Sequence, residues 1–190
     1  MHQAVKDFIV NVRKELPHKF RFRSVLEVGS KSINGSPRKY FWFCHYFGID
    51  LSNGKGVNYV GRLSRLYYQG MFTNHSFQVV ISTEALEHDK EWDISLGIMY
   101  NVLKPNGLMI ITCAAPDRQP HGISNSNPSD SPDTNDWYRN ISTTDFKSVL
   151  PSHLFSHYIL MYGRGKNDLY FYGIKKEIRT LAFGTSYDPK

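Results

Sequence analysis

Glu84, Glu87 and His88 follow a short apolar run, Phe77 to Ser82. On a helical turn Glu84 would share a face with both Glu87, at i+3, and His88, at i+4. A carboxylate beside an imidazole orients the ring and raises its pKa. His88 is therefore the first candidate for a general base and Glu84 the second. A bracing role, in which the pair ties the turn to neighbouring loops, carries equal weight. His121 is a weaker candidate, since a lone loop histidine is most often only solvated. The segment Asp136-Trp137-Tyr138-Arg139 offers aromatic faces and a guanidinium, which suit a sugar ring or an anionic group. Against that, Trp137 can pack its loop onto the core, the favoured reading for that residue, and Arg139 can pair with an acid. Glu84, His88 and His121 are also metal-ligating types, but their spacing is not diagnostic and no metal site is assigned.

A second set suits a nucleoside-type ligand. Ser24 to Val28 is a short apolar run broken by Glu27 and followed by Gly29 and Ser30. An acid at a strand end, then a glycine turn, lets a backbone approach a ligand closely. No Gly-Lys-Ser/Thr closes the loop, so it is not a P-loop, and the G-x-G-x-x-G spacing of a dinucleotide fingerprint is absent. An ordinary strand and turn would look the same. Asp50 ends the next short apolar stretch, 23 residues after Glu27. A carboxylate there can accept two hydrogen bonds from a ribose diol, although turn-forming aspartates are also common.

The elements that must hold these groups follow from periodicity. Val5, Phe8, Ile9, Val12 and Leu16 form one apolar helical face, ended by Pro17. Strands are expected at 24–28, 46–50, 77–82 and 108–114, with a brief extended piece at 57–60. A helix is expected from Trp92 to Leu103, stopped by Lys104-Pro105-Asn106-Gly107. Prolines 116, 120, 128 and 132, mixed with small polar residues, mark a long loop over 116–141, read as a substrate lid. Ser142-Thr-Thr-Asp145 reads as a capping box opening a short helix through Leu150. His157 to Tyr162 and Leu169 to Ile174 read as a closing hairpin. Strands alternating with helices imply an α/β domain, 1–190, whose ligands bind beyond the carboxyl ends of the strands.

Four segments together, around Val28-Gly29, Gly48-Ile49-Asp50, Phe77 to His88 and Leu103 to Ile111, resemble the class I S-adenosylmethionine-dependent methyltransferases. The subgroup most like this chain has a first loop similar to Gly29-Ser30-x-x-x-Asn34-Gly35-Ser36 and includes small-molecule and sugar O-methyltransferases. The resemblance implies a Rossmann-like seven-stranded, mostly parallel sheet with a C-terminal antiparallel hairpin and helices on both faces. It implies S-adenosylmethionine as cofactor, with Glu27 and Gly29 by its methionine part and Asp50 on its ribose. Ser30, Leu51, Leu63 and Thr83 complete the implied cofactor set. Many relatives carry an acid after the third strand, against the adenine amino group. Gly61-Arg62-Leu63-Ser64-Arg65 has none, so Leu63 packing and backbone groups are expected to hold the adenine. His121, Trp137, Tyr138 and Arg139 are the expected substrate-side residues.

The 190 residues carry a net charge of +6 and two cysteines, Cys44 and Cys113, which exclude a disulfide scaffold and a zinc ribbon. No run of about 18 apolar residues occurs, and the first twenty residues lack the apolar core of a secretory signal. A cytoplasmic protein with no membrane partner is expected; the oligomeric state is open. The expected activity is O-methylation of a sugar or glycan hydroxyl, or of another small polar acceptor. One alternative is an RNA methyltransferase, supported by the positive charge and opposed by the scatter of the basic residues. The other is a non-catalytic scaffold that kept only cofactor binding.

Overall fold

A computed structural model describes residues 1–177 except Pro132 and Asn135. Pro132, one of the prolines of the long loop, thus lies outside the described residues. Seven strands form one sheet: β1 (Ser24–Val28), β2 (His45–Asp50), β3 (Tyr59–Val60), β4 (Phe77–Thr83), β5 (Leu103–Ala114), β6 (Phe155–Tyr162) and β7 (Asp168–Lys175). Their order is β3-β2-β1-β4-β5-β7-β6. The first five run parallel, and β7 inserts antiparallel between β5 and β6. This is the Rossmann-like sheet with a closing hairpin that the sequence implies. Chain direction across the sheet reverses between β1 and β4, which makes their carboxyl ends the switch point where such sheets bind ligands.

Alternation along the strands sends neighbouring side chains to opposite faces. Val25, Val79, Ile81, Leu108, Ile110, Tyr170 and Tyr172 face one way and pack on α1 (Gln3–Glu15) through Val5, Phe8, Ile9 and Val12. Leu26, Val28, Val80, Met109, Ile111 and Phe171 face the other way. They pack on α2 (Leu63–Tyr68), α3 (Trp92–Val102) and α4 (Thr143–Val149). Helices therefore cover both faces, one helix on the first and three on the second.

Two differences from the sequence reading have local causes. The turn expected at Lys104–Gly107 lies inside β5, not before it. Leu103 already pairs with Phe77, and the register jumps to Val79 with Leu108, so the turn survives as a bulge with Asn106 at φ 59°. The six-residue α2 was not anticipated, because Leu63 and Leu66 alone give too little periodicity to stand out. No helix among the described residues is long and apolar enough to cross a membrane.

Candidate active site

The carboxyl ends of β1, β2 and β4 are aligned by register: Val28 lies beside Ile49 on one side and Ser82 on the other. The Ser82 hydroxyl donates to the Val28 carbonyl at 2.9 Å, and the Gly29 and Ser30 amides both donate to the Ile49 carbonyl at 3.0 Å. Gly29 adopts φ +77°, and a Cβ there would sit 2.3 Å from the Ala85 side chain. The glycine is thus required by packing against the chain leaving β4, which is a different reason from the approach of a ligand.

The cleft so formed is lined by Gly29, Asp50, Leu51, Leu63, Ala85 and Leu86, among others. The Asp50 carboxylate accepts from the Lys31 amide at 2.8 Å and the Leu51 amide at 2.8 Å. Those two bonds fix its orientation and leave lone pairs for a ligand. Leu63, nearly buried, and Leu51 supply apolar wall. Ser30 falls outside the cleft. It is buried, its hydroxyl has no hydrogen-bond partner, and it packs beneath Gly48 and Gly56, where any Cβ would meet Ser30 atoms at 2.6 and 2.7 Å. Its expected cofactor contact is corrected to a packing role.

A second cavity of about 390 Å³ opens beside the first and shares Gly29, Lys31, Glu84, His88 and Asp130 with it. Glu27 and Thr83 line this cavity. Glu27 is 2% exposed, and burial pushes its carboxyl up to about 7. The Ser36 hydroxyl donates to it at 3.2 Å, and the Tyr46 hydroxyl and the Arg38 charge also favour the anion without matching burial.

The expected Glu84–His88 partnership is not formed. Glu84 adopts φ 53°, so it lies on no helical turn; the turn itself begins at Leu86. Its carboxylate accepts from Thr112 at 2.9 Å and pairs with Arg118 at 3.1 Å and His2 at 3.4 Å. Burial raises its pKa, but His2 and Arg118 outweigh burial, and the net shift is downward. Glu84 is thus an anion held in a structural network with His2, Arg118 and Asp168. Arg118 and Asp168 gave no local sequence signal, because the pair joins the loop after β5 to the start of β7.

His88 sits instead with His121 and Tyr138. The two imidazoles cross at 89° with centroids 5.0 Å apart, and the Tyr138 ring lies 5.4 Å from His88 and 5.0 Å from His121. Burial, then the His121 charge, lowers His88 to about 4, so the ring is neutral at ordinary pH. Beside it Glu87 is fully buried, and neither carboxylate oxygen has a hydrogen-bond partner. Burial, then the Glu84 charge, raises Glu87 to about 8. The loop over 116–141 folds across both cavities: Asp130, Ser131 and Thr134 face the first, and Asp133 meets Lys31 at 3.1 Å. Arg139 points away from them. It pairs with Asp145 at 2.9 Å and stacks over Trp92 at 5.2 Å, so its expected substrate contact is corrected to a structural one. Trp137 lines neither cavity, and Lys90 lies 5.9 Å over its ring.

Residues 26–111, a little under half the chain, match the family described as a methyltransferase domain. No curated protein sequence matches the chain. Among solved structures it is similar to the CurJ carbon methyltransferase, with 16% identity, a TM-score of 0.60, and coverage of 89% of this chain and 52% of that one. It is also similar to 1,6-didemethyltoxoflavin-N1-methyltransferase from Burkholderia thailandensis bound to S-adenosylhomocysteine, with 15% identity, a TM-score of 0.58, and coverage of 92% and 79%. A third is a phosphoethanolamine N-methyltransferase from Haemonchus contortus, with 15% identity, a TM-score of 0.60, and coverage of 90% and 53%. The chain spans about half the length of the first and third of these. The fold is the one these solved methyltransferases share, and residues 26–111 are similar to the methyltransferase-domain family.

Proposed function

We propose that the protein transfers a methyl group from S-adenosylmethionine to a hydroxyl of a sugar, glycan or other small polar acceptor. One observation carries the reading: a cleft with Asp50 at one end opens into a polar cavity of about 390 Å³ beside the buried Glu27. The residues suit the cofactor. Asp50 keeps free lone pairs for a ribose diol, Leu51 and Leu63 offer apolar wall to a nucleobase, and Glu27 is a carboxylate for an ammonium group. When bound, the cofactor supplies a methyl group on a sulfonium sulfur that leaves as a neutral thioether.

The chain's part is mainly positioning. Lys31 ties the first loop to the 116–141 loop through Asp133, beside the cleft. His88 and His121 line the acceptor cavity, with Tyr138 packed against both rings, and neutral His88, not the already paired Glu84, is the group placed to orient the acceptor hydroxyl. The similar carbon and nitrogen methyltransferases make amines and activated carbons the competing acceptors.

Calorimetric titration with S-adenosylmethionine and S-adenosylhomocysteine tests the cofactor reading, with micromolar binding expected for both. Asp50→Ala removes hydrogen bonds to a charged acceptor and is expected to weaken binding about 100-fold. Labelled methyl transfer to a panel of glycosides, amines and thiols then tests the acceptor. Binding of neither ligand would sink the reading, and turnover on amines alone would sink its hydroxyl part.

A further inference from the structure

Glu87, His88 and His121 each bring one ligating atom into a cluster in which all three atoms lie within 4.8 Å of one another. Two of these side chains have atoms with nothing to bind. Both Glu87 oxygens and His88 Nδ1 are buried without a hydrogen-bond partner. Glu87 is fully buried and His88 is 6% exposed, where an unpaired polar atom is costly. His121 comes from the loop after β5, and its one hydrogen-bond contact among the described residues is with the Gln119 carbonyl, at a long 3.4 Å.

We propose that Glu87, His88 and His121 form a divalent-cation site of the zinc type, at the wall of the acceptor cavity. Two imidazoles and one carboxylate are a donor set for borderline cations and disfavour magnesium, which prefers oxygen ligands. Three protein ligands leave a fourth position open, the pattern of catalytic rather than structural zinc sites. Bonds of about 2.0–2.1 Å require donors about 3.4 Å apart. The remaining closure is within reach of His121, which is half-buried on a loop, while Glu87 and His88 stay fixed beneath it. His88 and His121 already converge in an edge-to-face pair.

A second cluster, His2, Glu84 and Asp168, has similar spacing. Its centre is filled by the Arg118 guanidinium, which pairs with both carboxylates, so a cation there would meet a resident positive charge. Among the described residues no side chain forms an ion pair with Glu87, and the Arg118 charge reaches it only from a distance. Resting on the methyl-transfer reading, a cation at Glu87, His88 and His121 would act as a Lewis acid on an acceptor hydroxyl in the shared cavity.

The test is titration of chelator-treated full-length protein with Zn²⁺, and with Co²⁺ followed by its visible absorption. One equivalent is expected at micromolar or tighter affinity, with the Co²⁺ bands of a four- or five-coordinate site. Glu87→Gln and His121→Ala are each expected to weaken Zn²⁺ at least 10-fold, and His2→Ala to leave it unchanged. His121 lies on a surface loop, so its variant remains informative even if Glu87→Gln fails to fold. Absence of stoichiometric binding would overturn the site, as would binding indifferent to His121→Ala or lost with His2→Ala. S-adenosylmethionine titrated into the same samples separates the two proposals: zinc binding without cofactor binding would sink the methyl-transfer reading and leave the cation site standing.

Discussion

Glu27 is nearly buried, and burial outweighs the Tyr46 and Ser36 hydroxyls and the Arg38 charge, which pull its pKa the other way. Its folded pKa of about 7 exceeds the ordinary 4.5, so the folded state holds this proton more tightly than the unfolded chain does. A raised carboxyl pKa lowers stability as pH rises from 4.5 through 7, because the unfolded state ionises first. The shift corresponds to an upper bound of about 3 kcal/mol. A ligand ammonium beside Glu27 reverses the preference and favours the anion. Cofactor affinity should therefore climb between about pH 6 and 8 and level off above. Urea unfolding of the cofactor-free protein across this range, compared with Glu27→Gln, isolates the residue from every other titrating group. Parallel slopes for the two proteins would mean that Glu27 keeps an ordinary pKa. Glu27 and Asp50 stood out as candidates in the sequence because an acid ending an apolar run is conspicuous. The expected pairing of Glu84 with His88 failed because nothing in Thr83-Glu84-Ala85 announces a left-handed residue, and the carboxylate pairs with Arg118 instead.

The strands, the amphipathic helices α1 and α3 and the capped α4 were the legible elements. The apolar runs of β1, β4 and β5 are buried on both faces, so they read as continuous apolar stretches without alternation. The start of α4 was legible to the residue. Ser142 accepts from the Asp145 amide at 3.0 Å, and Asp145 accepts from the Ser142 amide at 2.9 Å. Asp145 also anchors Arg139, so the cap fixes the end of the 116–141 loop. Ser142→Ala should cost about 1 kcal/mol in urea unfolding at unchanged m-value. A loss near zero would mean that Asp145 alone holds the turn. The pairs that close the site were illegible for a different reason: Lys31 with Asp133 and Arg118 with Asp168 join distant segments of chain. No local period encodes such a pair, and only the sheet order brings its members together.

Across the whole molecule the two faces of the sheet are unequally covered, and the thinly covered one depends on α1. Phe8 stacks on Tyr170 with centroids 4.9 Å apart, and Ile9 and Val5 are fully buried. The same helix begins at the second cavity, where His2 meets Glu84 and Asp168, each at 3.4 Å. Helix docking and cavity electrostatics are thereby one structural unit. Asp168, then Glu84, raise His2 to about 9. For a histidine raised by anionic partners, the stabilisation is complete below its ordinary 6.5 and lost as pH climbs through the folded value. The Arg118 guanidinium shares both carboxylates and keeps its charge throughout, so the network weakens at high pH without collapsing. Amide exchange in α1 should therefore quicken, relative to the intrinsic rate, between about pH 7 and 9.5, while the β1 and β4 amides keep their protection. His2→Gln should remove that pH dependence. Phe8→Ala should lower global stability by about 3–5 kcal/mol at any pH, because the hydrophobic loss does not titrate. If both variants shifted α1 exchange by the same pH-independent amount, His2 would contribute packing alone, and the charged wall of the second cavity would be held by Arg118 without help from the helix.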